Sequence, residues 1–317
     1  MQTRFTRLVG CSVPIQQAPM GAISSPDLVA AVADAGAVGT ASALGLPPAA
    51  FLARLDELCE RTDGVLSANV VLPDLDDEFL AAVAERVRLL DCFWFDPQPR
   101  LVELAHEAGA LAGWQVGSVE EAVAAADAGC DVVTVQGLEA GGHVRGYEPL
   151  FPLLQEVLDA VAVPVLAAGG ISDGGTFAEV LRAGADGARI GTRFIATSES
   201  GAHPAYKQAL VDAGEDATTV TDAFADCPLC ATSARTRVLR SAVDRVTELD
   251  EDVVATAHAD GRSTPVPRHS GLPPSAGVEG HVDAMAMYVG AVAAVQSAAE
   301  VIADLLSAAD RSHAPAG

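Results

Sequence analysis

The segment Gln136-Gly137-Leu138-Glu139-Ala140-Gly141-Gly142-His143 ends an apolar run in a loop with three glycines and places an imidazole after the last of them. A histidine titrates near neutrality and can take, hold or return a proton, while glycines let a flat ring system lie against the backbone beneath it. Two further pairs, Gly169-Gly170 and Gly191-Thr192, also follow apolar runs. Glycine turns leading into short helices expose backbone N–H groups to a phosphate, and the Thr192 hydroxyl adds a donor. Tight strand-to-helix turns alone would explain either pair; both together favour phosphate binding. The remaining polar residues at ends of apolar runs are Gln17-Ala18-Pro19-Met20-Gly21, Asn69 and Gln115.

Other chemistries lack support. His106, His203, His258, His269, His281 and His313 have no comparable glycine setting and read as surface residues. Glu139 reads as a loop former that bonds backbone or Arg145, not as a base. There is no G-x-S-x-G elbow, no Ser/His/Asp ordering and no zinc-type spacing of histidines and carboxylates. Cys227-Pro228-Leu229-Cys230 has metal or redox spacing without further ligands nearby, and all six cysteines are expected as free thiols.

Short apolar runs alternate with longer amphipathic ones, a pattern that demands parallel strands covered by helices. Eight strands are expected, near residues 13–17, 37–40, 65–70, 92–95, 111–116, 132–135, 163–167 and 187–190. Ser25-Pro26-Asp27 and Ser118-Val119-Glu120-Glu121 are helix starts. Four helices end in Ala-Gly at 35–36, 108–109, 128–129 and 183–184. Eight such units in about 190 residues fit a TIM-type (β/α)8 barrel with a C-terminal, mostly helical extension; a doubly wound sheet is the alternative. In a barrel, all the polar motifs above fall on one face, at the C-terminal strand ends.

The expected organisation is a barrel core over 1–220 and a helical and loop insertion over 221–280, whose Pro/Gly-rich part at 259–280 reads as a lid, an oligomer arm or a mobile insertion. A final helix over 281–310, from about Val282 to Leu306, packs back on the barrel. A disordered tail follows at 311–317.

With 317 residues, half of them hydrophobic, the chain can bury a large core. Its net charge of −24 and single lysine, Lys207, argue against nucleic acid or anionic membrane as partner. The N-terminus does not read as a signal peptide. Residues 285–306 are interrupted by Gln296, Glu300 and Asp304 and do not read as a membrane span, so a cytoplasmic protein is expected.

QGLEAGGH at 136–143, VPVLAAGGISDG at 163–174 and GADGARIGTRFIAT at 184–197, with 14–21 and Asn69, resemble the nitronate monooxygenase family, formerly called 2-nitropropane dioxygenases. His203-Pro204-Ala205-Tyr206-Lys207 and Tyr288-Val289-Gly290 look like later landmarks of that family. The resemblance implies a barrel that binds FMN non-covalently, with its phosphate at Gly169, Gly170, Gly191 and Thr192. Pro19, Met20 and Gly21 would pass along the isoalloxazine, Asn69, Gln115 and Gln136 would bond the flavin, and Gly141 and Gly142 would pack close to it. His143 would be catalytic, acting on a nitronate or nitroalkane with O2 as co-substrate. Some relatives carry lysine where Gln115 stands, a difference that bears on which donor reduces the flavin. Val144-Arg145 after the histidine and the aromatic run Phe93-Trp94-Phe95 with Trp114 also depart from the family pattern.

Two other readings follow from the same motifs. One is an FMN-dependent NAD(P)H reductase of quinones or enoyl thioesters. The other is a barrel that binds a phosphorylated ligand without flavin, or a silent scaffold. A homodimer is the candidate oligomer.

Overall fold

The computed structural model describes residues 1–71, 75–214, 217–226, 235–259, 262–289 and 292–313. Its strands are β1 (Ile15–Gln17), β2 (Val38–Ser42), β3 (Val65–Val70), β4 (Leu89–Cys92), β5 (Leu111–Val116), β6 (Val132–Gln136), β7 (Gly142–His143), β8 (Val165–Ala168), β9 (Gly187–Ile190), β10 (Thr218–Thr221), β11 (Thr236–Leu239), β12 (Val253–Ala259), β13 (Arg262–Pro267) and β14 (Val278–Gly280). Eight of them, β1 to β6 with β8 and β9, close into a parallel barrel in chain order, sealed where β9 pairs with β1. Nearly every residue of those strands is buried, as parallel strands covered by helices must be.

The helices start where their caps require. Ser25 Oγ accepts the Leu28 N–H, Ser118 Oγ accepts that of Glu121, and Asp173 and Thr176 form a reciprocal capping box before the helix Gly174–Arg182. Each helix turns its apolar stripe inward, for example Leu28, Val29 and Val32 from Pro26–Asp34. A helix at Arg4–Val9 closes the N-terminal end of the barrel, with Phe5 and Val9 packed on Val38, Val132 and Leu166. That leaves the opposite end for the polar strand termini.

Three expectations need correction. The fourth strand runs over Leu89–Cys92, not 92–95. Its apolar residues Leu89 and Leu90 pair with Leu111 and Ala112, and the chain leaves the sheet at Trp94, whose φ of 81° is left-handed. The stretch 259–280 is not all loop: it holds the strands β13 and β14. Val253–Ala259 pairs antiparallel with both β13 and β14, and Pro265, Pro267 and the glycines mask that pairing in the sequence. The last helix begins only at Ala298 and reaches His313. Residues 282–284 make a single 3-10 turn, and the segment after it is extended: Met287 accepts the Leu239 N–H and Tyr288 bridges Val238. An Ala-rich apolar run is compatible with both conformations, and the part of β11 beyond its pairing with β7 decides between them.

Residues after β9 form their own apolar cluster, centred on Tyr206, Leu210, Phe224, Val238, Val246 and Met287, beside the barrel mouth. Among the described residues, no helix is long and apolar enough to cross a membrane.

Candidate active site

β7 is two residues long and lies outside the barrel. It pairs with β11, placing His143 opposite Thr236, and β11 in turn pairs with β10. The imidazole is therefore carried on a small sheet built from the β6 loop and the C-terminal extension, above the ends of the barrel strands. Gln136, the last residue of β6, fixes the loop: its Nε2 donates to the His143 carbonyl at 2.9 Å and its Oε1 accepts the Arg145 N–H at 3.0 Å. The Gln136 amide is thus turned toward the protein. Glu139 accepts the Leu150 N–H at 2.9 Å, whereas Arg145 pairs with Glu121 and Asp96.

Two rings flank the histidine. Trp94 and Tyr288 each stand edge-on to it, with centroids 5.6 Å away. Trp94 holds its left-handed φ without being glycine, a strained conformation for a bulky residue that concentrates at functional sites. Phe93 packs edge-on against Trp94, while Trp114 lies in the core and donates its indole N–H to the Phe95 carbonyl. The aromatic run after β4 therefore splits: Trp94 walls the site and Phe95 braces the core. His143 Nδ1 lies 3.3 Å from Tyr288 Oη, and its Nε2 is buried with no hydrogen-bond partner among the described residues. An imidazole nitrogen in that condition is a free acid or base aimed at the site.

The glycine motifs converge nearby. Gly169 and Gly170 have φ of 116° and 69°, conformations closed to most side chains. A methyl at Gly141 would meet the Val289 carbonyl at 2.7 Å and Thr192 Oγ1 at 3.0 Å, and one at Gly142 would meet the Tyr288 ring at 3.3 Å. Thr192 opens a helical turn at Thr192–Ile195, beyond Gly191, which faces Ala18 and Met20. The β1 loop with Pro19, Met20 and Gly21, the β6 loop and the turns after β8 and β9 thus adjoin one another. Ser24 Oγ holds the first of these by accepting the Met20 N–H at 3.0 Å.

Asn69 and Gln115 reach the same mouth from β3 and β5. Asn69 Nδ2 donates to the Asp91 carbonyl at 3.1 Å. Gln115 Oε1 accepts from Arg189 Nη1 at 2.7 Å, and its Nε2 has no partner among the described residues. Arg189 is the residue the motif reading missed. It is buried on β9, ion-paired with the buried Asp91 of β4, and it also donates to Gln16 Oε1. Its signal was present in ARIGTR, where an arginine interrupts an apolar strand, because a buried arginine needs a buried acid.

Lys207, the only lysine, donates to the carbonyls of Thr197 and Ser200, and burial pushes it below the ordinary lysine range. It caps the end of the β9 turn instead of facing the site. Cys11, Cys92 and Cys130 are buried free thiols. Cys227 and Cys230 lie outside the described residues. Among the described residues no cluster of His, Cys, Asp or Glu could hold a metal ion.

A closed parallel barrel whose C-terminal mouth holds an imidazole among aromatic rings, one of its nitrogens unpartnered among the described residues, defines an α/β-barrel enzyme, and the relatives of this one are oxidoreductases. The chain belongs to the nitronate monooxygenase family, whose profile matches residues 2–88 and 81–308. It is 35% identical over 226 residues to a hydroxy-methyl-oxo-octahydroindene carboxyl-CoA dehydrogenase of Mycobacterium tuberculosis, a match covering 70% of this chain and 63% of that protein. The chain thus aligns with under two thirds of that relative's length. A probable nitronate monooxygenase of Bacillus subtilis is 31% identical over 265 residues, 69% of this chain and 76% of its own. The solved structure of a nitroalkane oxidase from Streptomyces ansochromogenes superposes with a TM-score of 0.75 at 26% identity, over 98% of this chain and 99% of that one.

Proposed function

We propose that the protein is an FMN-dependent oxidoreductase that oxidises alkyl nitronates with O2 to a carbonyl compound and nitrite. The observation that carries this reading is His143 Nε2, a buried imidazole nitrogen without a partner among the described residues, set above a glycine cradle at the barrel mouth. Family membership and the nitroalkane oxidase structure support it.

The residues present fit the cofactor. Gly169, Gly170, Gly191 and Thr192 would hold the phosphate with backbone N–H groups and the threonine hydroxyl. Pro19, Met20 and Gly21 would border the ring system, Gly141 and Gly142 would pack on it, and Asn69 Oδ1 and Gln115 Nε2 are the amide atoms left to bond it. Gln136 would act through the loop it clamps. When bound, FMN would supply the electron acceptor for the oxidation, with O2 as the terminal oxidant. The chain's own residues do the rest: Trp94 and Tyr288 fix the imidazole and exclude water from it, and Nε2 meets the substrate, holding a nitronate oxygen when the ring is protonated and taking the α-proton of a nitroalkane when it is neutral.

A second reading, NAD(P)H-dependent reduction of a quinone or an enoyl thioester, is favoured by two observations. The Mycobacterium relative is a carboxyl-CoA dehydrogenase. On the rim, Tyr147 is 75% exposed with the Arg235 guanidinium 3.8 Å over its ring, an aromatic and cationic pair suited to a nucleotide-bearing ligand.

The test is the purified protein in air with an alkyl nitronate. A yellow, FMN-bearing protein that consumes O2 and releases nitrite supports the oxidase. A yellow protein that does neither fails it, and a colourless protein that gains no flavin absorbance from added FMN fails the cofactor assignment as well.

A further inference from the structure

We propose that Tyr288 is a positioning residue that fixes the tautomer of His143, leaving Nε2 as an unprotonated base; this rests on the reading of His143 as the group that meets the substrate. Tyr288 Oη has one proton, and two of its neighbours decide where that proton goes. One is the Gly271 carbonyl, which can only accept, so the hydroxyl proton goes there. The other is His143 Nδ1, 3.3 Å away. With its proton committed, the phenol oxygen faces Nδ1 as an acceptor, and the favourable partner is Nδ1–H. A neutral imidazole protonated on Nδ1 carries its lone pair on Nε2, the buried atom with no partner among the described residues.

The lock is anchored at three points. The Tyr288 carbonyl accepts from Tyr206 Oη at 2.7 Å, and Tyr206 is fully buried on the helix Pro204–Asp212, its phenol pushed well up by burial. The Tyr288 ring lies on Gly142, where a β-carbon would stand 3.3 Å from it. Gly271 is tied in by its N–H, which donates to the Asp226 carbonyl at 3.0 Å. The extension beyond the barrel therefore sets which nitrogen of a histidine on the β6 loop carries the proton. Toward a neutral carbon acid the consequence is direct: the C–H bond breaks, an Nε2–H bond forms, and the electron pair stays on the substrate. An imidazole held in the other tautomer would present an N–H and could not accept that proton.

The test is 15N NMR of the imidazole nitrogens in FMN-loaded protein at a pH where the ring is neutral, with His143→Asn to assign the signals. His143 is expected in the Nδ1–H form by about tenfold, the equilibrium equivalent of one hydrogen bond. A dominant Nε2–H form overturns the proposal. In Tyr288→Phe, which keeps the ring on Gly142, both tautomers should be populated and kcat should fall several-fold at unchanged KM and flavin content. An unchanged tautomer ratio also overturns it. A protein that takes up no flavin would refute the cofactor reading, while the wild-type tautomer would still be read in the flavin-free protein.

Discussion

Arg189 Nη1 donates to Gln115 Oε1 at 2.7 Å, joining β9 to β5 across the inside of the barrel. The same guanidinium is ion-paired with Asp91 and bonded to Gln16, so four strands meet on one buried cation beneath the mouth. A lysine at 115 would bring a positive charge to the mouth from β5; here the charge comes from β9, neutralised by β4, and Gln115 presents an amide.

Breaking this pair should cost far more than removing it. Arg189→Met or Asp91→Leu alone leaves one uncompensated buried charge and should lower stability by about 3 to 5 kcal/mol. The double variant Arg189→Met/Asp91→Leu should lose much less than the sum. Urea unfolding measures all three, and single variants within 1 kcal/mol of wild type (roughly the noise of a surface substitution) would show that the pair is not buried as described.

His143→Asn removes the base while keeping a polar side chain between Trp94 and Tyr288. Turnover should fall by about 10²- to 10⁴-fold, the usual contribution of a positioned acid or base, with flavin still bound. Steady-state kinetics beside the visible spectrum check both halves; unchanged turnover would remove His143 from the chemistry.

Gly170→Ala forces a β-carbon into a left-handed backbone 3.1 Å from the Glu139 side chain. It should destabilise by about 1 kcal/mol and weaken FMN binding about tenfold. Gly214→Ala, with open space around it, is the control and should change neither. Equilibrium dialysis against FMN gives the comparison.

Much of this arrangement was legible in the sequence because it follows local rules. The Ser25 and Asp173 caps, the Ala-Gly helix ends and the apolar runs all act within a few residues, and strands at 65–70, 111–116 and 187–190 lie where those runs place them. What escaped depends on contacts distant in sequence. Arg189 meets Asp91 across 98 residues, and His143 meets Tyr288 across 145. The β12 and β13 strands escaped because prolines at an exposed edge read as loop, and the extended segment around Met287 because only the edge of β11 keeps it from being helix. The left-handed Trp94 has no sequence signature, since that conformation belongs to glycine and asparagine in any local rule.

Alkaline pH should destabilise the fold through its buried thiols. Burial, the largest cause, pushes Cys11 up to about 11 and Cys130 up to about 12 from an ordinary 9.0, and at Cys130 the charges of Asp131 and Asp91 add to it. Between 9 and those values the folded state keeps protons that the unfolded state has lost. Their stabilisation is therefore complete below pH 9 and declines as pH rises toward 11 and 12, by up to about 1.4 kcal/mol per pH unit for each thiol. Urea midpoints from pH 8 to pH 10, roughly spanning the onset of thiol ionisation, should fall more steeply for the wild type than for Cys130→Ala. Parallel slopes would contradict the assignment.

The most direct test of the central claim is anaerobic mixing of the FMN-loaded protein with an alkyl nitronate in one syringe and NADH or NADPH in another. Rapid bleaching of the flavin by the nitronate alone, lost in His143→Asn, is the predicted result. Rapid bleaching by the nicotinamide with no response to the nitronate would contradict it and turn the same site into that of a reductase.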